Sequence, residues 1–236
     1  MVPLNDNNPT RRVPYVTYVF IALNVLVFLY EAGLGPNLEA FFRVWAVTPR
    51  ALTYTFAGQA TNLPIYPPLT LITSQFLHGG FLHLGGNMLF LWIFGNNVED
   101  KLGHLKFVLF YLTCGVLAGL SQWYVAMDSL VPSLGASGAI AGVMGAYILR
   151  FPRAEITTLI PLGIFPWTVR VPAFFFLGFW FLQQTFSSLM SLNAPMDIQG
   201  SAGGIAYWAH AGGFVFGAVL GPVLGLFSDR SIDDVY

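Results

Sequence analysis

Residues 133–142 read SLGASGAIAG, a stretch typical of a helix that packs closely against another helix inside a membrane. Serine, alanine and glycine at four-residue spacing let two helix backbones approach each other in lipid. A serine in such a segment is also a candidate nucleophile. The stretch alone supports both interpretations of Ser137, so the rest of the chain has to distinguish between them.

The composition predicts an integral membrane protein of the helical class, with the lipid bilayer as its surroundings. Of 236 residues, 56% are hydrophobic and only 9% are charged, whereas soluble domains average about 25% charged residues. Several apolar runs reach the roughly 20 residues that a helix needs to cross ~30 Å of hydrocarbon. The chain lacks the surface charge of a water-soluble globular protein.

Charge and cysteine content exclude several classes of function. The net charge is −1 and there is no basic cluster, so nucleic acid is not an expected partner. The single cysteine, Cys114, excludes an intrachain disulfide and a CxxC metal or redox site. The first residues, MVPLNDNNPTRRVPYV, are too polar for a typical cleaved signal peptide, and we expect this segment to be retained.

Six apolar runs predict an all-α fold, a bundle of six transmembrane helices. The predicted membrane domain, 14–227, lies between an N-terminal tail at 1–13 and a C-terminal tail at 228–236. A segment at 35–76, which mixes prolines and arginines with aromatic residues, predicts an outer loop with short amphipathic helices. The predicted spans are roughly 14–33, 80–98, 105–126, 136–151, 171–192 and 205–227.

The distribution of positive charge predicts the orientation of this bundle. Eight of the ten Lys and Arg residues fall in the segments on the same side as the two termini, which places both termini in the cytoplasm. Ser137 then begins the fourth span at its outer end, and His210 lies near the outer end of the sixth.

Polar side chains inside spans are candidates for function because burying them in lipid costs free energy unless they are paired. His83 and Asn87 are four residues apart and share one helix face, where they either bond across to neighbouring helices or act chemically. His78 is expected at the helix start or in the preceding loop, with a structural hydrogen-bonding role. His104 falls in a solvated turn, and we expect no special role for it.

The sequence around His210, YWAHAGGFVFGAVLG, predicts a close contact with the segment that contains Ser137. If the two small-residue stripes face each other, the imidazole meets the hydroxyl, and histidine is the usual base for a serine nucleophile. No acidic residue is placed to orient His210, which predicts a Ser–His dyad. The stripes are Ser137, Ala141 and Gly145 in one span and Gly213, Gly217 and Gly221 in the other.

A developing oxyanion would find donors at the same depth, namely the Ser137 backbone N–H at a helix start and the His83 and Asn87 side chains.

Three alternatives to a hydrolase remain open. Three histidines could bind zinc, although no HExxH motif or cysteine partner accompanies them. A transporter would also carry polar groups inside spans. A binding protein could keep the fold without the chemistry. We predict no metal and no cofactor.

Three motifs resemble the rhomboid family of intramembrane serine proteases: HGGFLHLGGNMLFLWIFG at 78–95, LGASGAIAG at 134–142 and AHAGGFVFGAVLG at 209–221. The resemblance covers roughly 68–225. It implies Ser137 as nucleophile, His210 as general base and acid, and an oxyanion hole formed by Asn87, His83 and the Ser137 N–H. It also implies single-span membrane proteins as substrates, cut in or near the span at a small residue. Supporting positions are His78, Gly135, Gly138, Ala141 and Gly213.

One position departs from the family pattern. Many members carry an aromatic residue four positions after the serine, against which the catalytic histidine stacks, but here that residue is Ala141. Tyr207, Trp208 and Tyr147 are the candidates for holding the His210 ring.

We expect the protein in a prokaryotic inner membrane with its active site facing outward. The sequence does not specify the physiological substrate or the oligomeric state.

Overall fold

The chain is mostly helical, and its long helices coincide with the apolar runs. The computed structural model describes residues 1–162, 165–191 and 206–228. Short helices fill the segment between the first two long ones: α2 (Leu38–Trp45), α3 (Pro49–Phe56) and α4 (Thr70–Thr73). The long helices are α1 (Tyr15–Gly33), α5 (Phe81–Leu102), α6 (His104–Val125), α7 (Ser137–Arg150), α8 (Ala173–Ser191) and α9 (Tyr207–Leu224).

Three of the described helices, α1, α6 and α9, are long and apolar enough to cross a membrane. Helix α7 differs from them because it is short and enclosed by protein. All ten of its residues from Gly138 to Tyr147 are buried, and it packs against α5, α6, α8 and α9. The Tyr147 ring packs edge-on against Phe94 of α5, with the ring centroids 5.0 Å apart. Helix α7 is therefore the central element of the bundle.

Helices α7 and α9 touch backbone to backbone. A Cβ atom added at Gly213 would lie 2.2 Å from the Gly138 carbonyl oxygen, and one added at Gly217 would lie 1.9 Å from that of Gly142. No side chain larger than hydrogen fits at either contact. The predicted stripe on α7 was Ser137, Ala141 and Gly145. Gly145 does meet the α9 backbone, because a Cβ there would lie 2.0 Å from the Phe214 carbonyl oxygen, whereas Gly213 and Gly217 meet Gly138 and Gly142. The register of the two helices is thus set by glycine.

The prediction of an all-α protein is wrong in one part. Three antiparallel strands, β1 (Val2–Asp6), β2 (Glu155–Leu162) and β3 (Phe165–Pro172), form a sheet in the order β1-β2-β3. Val2 pairs with Leu159 and Glu155 with Pro172. Strand β1 has only five residues, and it pairs with a partner about 150 residues away. Local sequence patterns do not reveal such long-range pairing.

His104 is exposed, as predicted, but its ring makes one contact that the sequence did not predict. Its Nδ1 lies 2.6 Å from a carboxylate oxygen of Glu99, which is only 1% exposed. The same carboxylate accepts hydrogen bonds from the backbone N–H groups of Val16 and Thr17 and from the Thr17 hydroxyl, at 2.7–2.9 Å. Glu99 thereby joins the start of α1 to the junction of α5 and α6.

The segment between α1 and α5 is tied to the loop that leads into α7. Val47 and Ser133 exchange both backbone hydrogen bonds, at 3.0 and 2.8 Å. The Gly135 N–H donates to the Ser74 carbonyl at 2.9 Å. These bonds hold the residues immediately before Ser137 in place.

Parts of the sequence-based predictions lie outside the described residues. The predicted C-terminal tail at 228–236, which includes Arg230 of the charge count, is described only at Ser228. Residue 192, which ends the fifth predicted span, and residue 205, which begins the sixth, also lie outside the described residues.

Candidate active site

Ser137 and His210 are hydrogen-bonded to each other. Ser137 is the first residue of α7 and His210 lies near the start of α9, and the Ser137 Oγ is 2.7 Å from the His210 Nε2. The backbone contact between Gly138 and Gly213 lies next to this pair along both helices. The two glycines bring the helices close enough for the hydroxyl and the imidazole to meet.

The other ring nitrogen of His210 faces an amide. His210 Nδ1 lies 2.8 Å from the Oε1 of Gln184, a residue of α8 that is 8% exposed. An amide oxygen can only accept a hydrogen bond, so Nδ1 carries the proton and Nε2 is left to accept from the serine hydroxyl. The sequence-based search for a third member considered acidic residues and missed Gln184. A polar residue inside a predicted span was the signal that could have found it.

The ring that packs beside His210 is also on α8. Trp180 lies with its ring centroid 5.8 Å from that of His210, at an interplanar angle of 38°. Tyr147, one of the predicted candidates, instead bonds to Asp6 through its hydroxyl at the far end of α7. Ala141 is fully buried, and its Cβ lies 3.3 Å from a Cβ built on Gly213.

Helix α5 carries two polar side chains that the sequence singled out, and one of them lies at the turn into α7. The His83 Nε2 lies beside Gly135, 2.8 Å from where a Cβ of that glycine would stand. Asn87 is 8% exposed, and its Nδ2 is buried without a hydrogen-bond partner among the described residues. Because buried polar groups are normally bonded, this amide is a donor available to a bound group.

His78 supports His83 from the preceding loop. The two imidazoles pack edge-to-face with centroids 5.1 Å apart. The His78 N–H donates to Glu31 of α1 at 3.2 Å, and both residues are 1% exposed. The Gly79 N–H approaches the His83 Nδ1 at 3.4 Å. With Nδ1 accepting, a neutral His83 carries its proton on Nε2, the nitrogen nearest to Gly135.

Backbone groups complete the site. Gly135 has φ +127°, a conformation that suits glycine, and it turns the chain into α7. The first backbone hydrogen bond of α7 runs from the Ile140 N–H to the Ala136 carbonyl at 3.0 Å. The N–H groups of Ser137, Gly138 and Ala139 therefore have no partner within the helix. They and the helix dipole favour an anion at this point.

The arrangement suits acyl transfer. It combines a hydroxyl, a base whose proton position is defined, and side-chain and backbone donors for a developing oxyanion. Within the described residues, no group of three or more His, Cys, Asp or Glu side chains is placed to hold a metal ion.

Comparison with known proteins gives consistent similarities. The family model for the Rhomboid domain matches residues 68–227. The chain is 37% identical over 219 residues to "Rhomboid protein 1, mitochondrial" of Saccharomyces cerevisiae, covering 89% of this chain and 56% of the yeast protein. It is 31% identical over 228 residues to "Rhomboid protease GluP" of Bacillus subtilis, covering 94% and 38%. Human "Presenilin-associated rhomboid-like protein, mitochondrial" is 28% identical over 202 residues, covering 84% and 45%.

These relatives correct the predicted location. The yeast and mammalian relatives are mitochondrial by name, so the prediction of a prokaryotic inner membrane is wrong. The chain spans about half the length of the curated relatives it matches, or less.

Proposed function

Because this chain belongs to the rhomboid family, we propose that it is an intramembrane serine endopeptidase. Its substrates are membrane proteins with a single transmembrane span, and it hydrolyses peptide bonds in or near that span. Ser137 is the nucleophile and His210 the general base and acid. Asn87, His83 and the Ser137 N–H form the oxyanion hole. One relative, from Bacillus subtilis, is itself named a rhomboid protease.

The observation that carries this proposal is the 2.7 Å contact between Ser137 Oγ and His210 Nε2. General-base catalysis requires a heavy-atom distance of about 2.6–3.2 Å. A serine used only for helix packing does not require a partner that can take its proton. The unpaired Nδ2 of Asn87 supports the same conclusion, because leaving a buried donor without a partner costs about 1–3 kcal/mol.

The reaction follows from these positions. His210 Nε2 takes the hydroxyl proton as Ser137 Oγ bonds to the scissile carbonyl carbon. The negative charge that develops on the carbonyl oxygen is met by the Asn87 amide, the His83 Nε2–H and the Ser137 N–H. The carbon–nitrogen bond breaks as His210 returns the proton to the leaving amine. Water, deprotonated by His210, then attacks the carbonyl carbon of the acyl-enzyme. The bond from that carbon to Ser137 Oγ breaks as His210 returns the proton to Oγ, which releases the acid product and restores the site.

The membrane arrangement is part of the proposal. A domain at 14–227 crosses the bilayer six times with both termini on the more positively charged side, and the mitochondrial relatives favour a mitochondrial membrane. Helix α7 has 14 residues and so measures ~21 Å, less than the ~30 Å of the hydrocarbon. Its enclosure by other helices makes a full-length apolar surface unnecessary. Ser137 is thereby recessed from the membrane surface.

A substrate span has to lose helical structure before it can react. The carbonyl groups of a helix are engaged in hydrogen bonds four residues along the chain, and their approach to Ser137 Oγ is blocked by side chains. Residues that weaken a helix and a small residue at the cleaved bond favour exposure. The family resemblance supports this substrate class.

An activity-based experiment tests the assignment. The purified protein, in liposomes, is treated with a fluorophosphonate that labels activated serines and, separately, with single-span reporter proteins. We expect labelling and cleavage in the wild type and their loss in Ser137→Ala and His210→Ala. Ser133→Ala is the matched control, because Ser133 contributes its backbone to the contact with Val47. Cleavage that survives Ser137→Ala would refute the nucleophile, and a wild type without labelling or cleavage would favour a non-catalytic binding protein.

A further inference from the structure

We propose that α8 supplies two positioning residues for the base: Gln184 fixes the proton of His210 and Trp180 restrains its ring. The inference rests on the proposed function, in which His210 is the general base. It assigns the restraint of the His210 ring to α8, whereas the family pattern places the restraining residue on the helix that begins with the serine. The site is then a Ser–His–Gln arrangement rather than a dyad.

The hydrogen bond from His210 to Gln184 determines which nitrogen can act as base. A neutral imidazole has one N–H and one free lone pair, and its partners decide between the two tautomers. With the Gln184 Oε1 2.8 Å from Nδ1, the proton is held on Nδ1. The lone pair is then on Nε2, the nitrogen that faces Ser137. In the opposite tautomer, Nε2 could not take the serine proton.

The burial of Gln184 indicates that its amide is committed to this contact. It is 8% exposed, and a buried amide is costly unless it is hydrogen-bonded. Gln183, the next residue towards the N-terminus, carries the same side chain but is exposed. An amide also suits a membrane site better than a carboxylate, since it accepts the hydrogen bond without adding a charge in a medium of low dielectric constant.

Trp180 lies one helical turn before Gln184, so both side chains are on one face of α8. Its ring centroid is 5.8 Å from that of His210 and 6.2 Å from that of Phe214. Rings at such separations attract each other, and the indole limits rotation of the imidazole. Ala141 has only a methyl group, which is fully buried against Gly213, so it offers no ring of its own to restrain His210.

Three variants separate positioning from folding. Gln184→Leu removes the acceptor, Gln184→Glu keeps an acceptor oxygen, and Gln183→Leu is the matched control. With a single-span reporter in liposomes, we expect Gln184→Leu to lower kcat about 10- to 100-fold with KM within about twofold of the wild type. Gln184→Glu should recover at least part of this loss, and Gln183→Leu should behave as wild type. An unchanged kcat in Gln184→Leu, or Glu as slow as Leu, would overturn the role of Gln184.

The role of Trp180 is tested in the same assay. Trp180→Phe keeps a ring beside His210, and we expect its kcat within about threefold of the wild type. Trp180→Leu removes the ring, and we expect a loss of about 5- to 20-fold. Equal rates for the Phe and Leu variants would refute ring restraint.

A direct measurement of the tautomer does not depend on catalysis. In protein with ¹⁵N-labelled histidine, the His210 signals are identified by their loss in His210→Ala. We expect the Nδ1-protonated form in the wild type and a mixture of tautomers in Gln184→Leu. An Nε2-protonated wild type, or the same tautomer in both proteins, would overturn the inference even if Ser137 is labelled. A failure of labelling with the expected tautomers would instead count against the proposed function alone.

Discussion

The contact between α7 and α9 makes Gly213→Ala the most informative single substitution. The added Cβ would lie 2.2 Å from the Gly138 carbonyl oxygen, whereas ordinary contact begins at 3.4 Å. The atom it meets belongs to a helix backbone, which cannot turn aside as a side chain can. To accommodate the methyl group, α9 has to move away from α7 by about 1.2 Å.

This displacement acts directly on the Ser137–His210 pair. Gly213 is three residues from His210 and Gly138 is adjacent to Ser137, so the Ser137–His210 distance would rise from 2.7 Å to at most about 3.9 Å. At that separation the hydrogen bond is lost. Positioned general-base catalysis contributes typically 10²–10⁴-fold, and we expect kcat/KM to fall by at least about 100-fold. Overpacking should also lower the free energy of unfolding by about 1–3 kcal/mol.

The assay is cleavage of a single-span reporter, together with fluorophosphonate labelling of Ser137 and a thermal melt. The matched control is Gly178→Ala on α8, where a Cβ would meet nothing within 4 Å, and we expect it to keep its activity. If folded Gly213→Ala cleaved and was labelled within threefold of the wild type, the backbone contact would not set the Ser137–His210 distance, and this reasoning would be wrong.

Three further substitutions test other parts of the molecule. Asn87→Ala should lower kcat about 10- to 1,000-fold, as losses of oxyanion donors do. Burial raises the pKa of the Asp6 carboxyl above its ordinary value, although the Tyr147 hydroxyl bonds to it. A carboxyl whose pKa is raised in the folded state lowers the stability as the pH rises through that pKa. When the pH is raised from acid to neutral, the Tm of Asp6→Asn should therefore fall less than the Tm of the wild type. Glu99→Gln should lower the free energy of unfolding by about 1–3 kcal/mol, because the charged acceptor of the Val16 and Thr17 N–H groups is lost.

The substitutions at Asn87 and Glu99 each have a matched control. Asn24→Ala removes a buried asparagine of α1, whose Nδ2 bonds to the Phe20 carbonyl, and kcat should not change. Glu39→Gln removes an exposed carboxylate that pairs with Arg43, and stability should not change measurably. A kcat of Asn87→Ala equal to that of the wild type would remove this residue from the oxyanion hole. An identical pH slope in Asp6→Asn, or unchanged stability in Glu99→Gln, would contradict those two expectations.

The helix positions were predictable because lipid imposes a strong local requirement. A spanning helix must be apolar over roughly 20 residues, and the observed helices begin and end within a few residues of the predicted runs. Close approach of α7 and α9 was also foreseeable from their small residues. The exact register was not. Ser137 points its side chain at His210, and the backbone contact beside this pair falls on Gly138, which lies 100° around the helix from Ser137.

The contribution of α8 could not be read from the same signals. Helix α8 also carries large apolar residues that are exposed, such as Phe175 and Phe179, so hydropathy alone does not indicate which face of α8 is turned to α9. Gln184 and Trp180 can be recognised as neighbours of His210 only when that face is known. The sheet escaped prediction for a different reason, because β1 has only five residues and pairs with β2 about 150 residues further along the chain. Long-range pairing leaves little trace in local composition.

The docking of α9 has a consequence for biosynthesis. Oxyanion donors, nucleophile, orienting amide and base occur in that order along the chain, at Asn87, Ser137, Gln184 and His210. Under the proposed function, a nascent protein that has inserted every earlier helix still has no base beside its serine. Proteolytic competence therefore appears only once α9 has been synthesised and its glycines have seated against α7. A protease built in this way is inert towards its membrane neighbours until its own assembly is nearly complete.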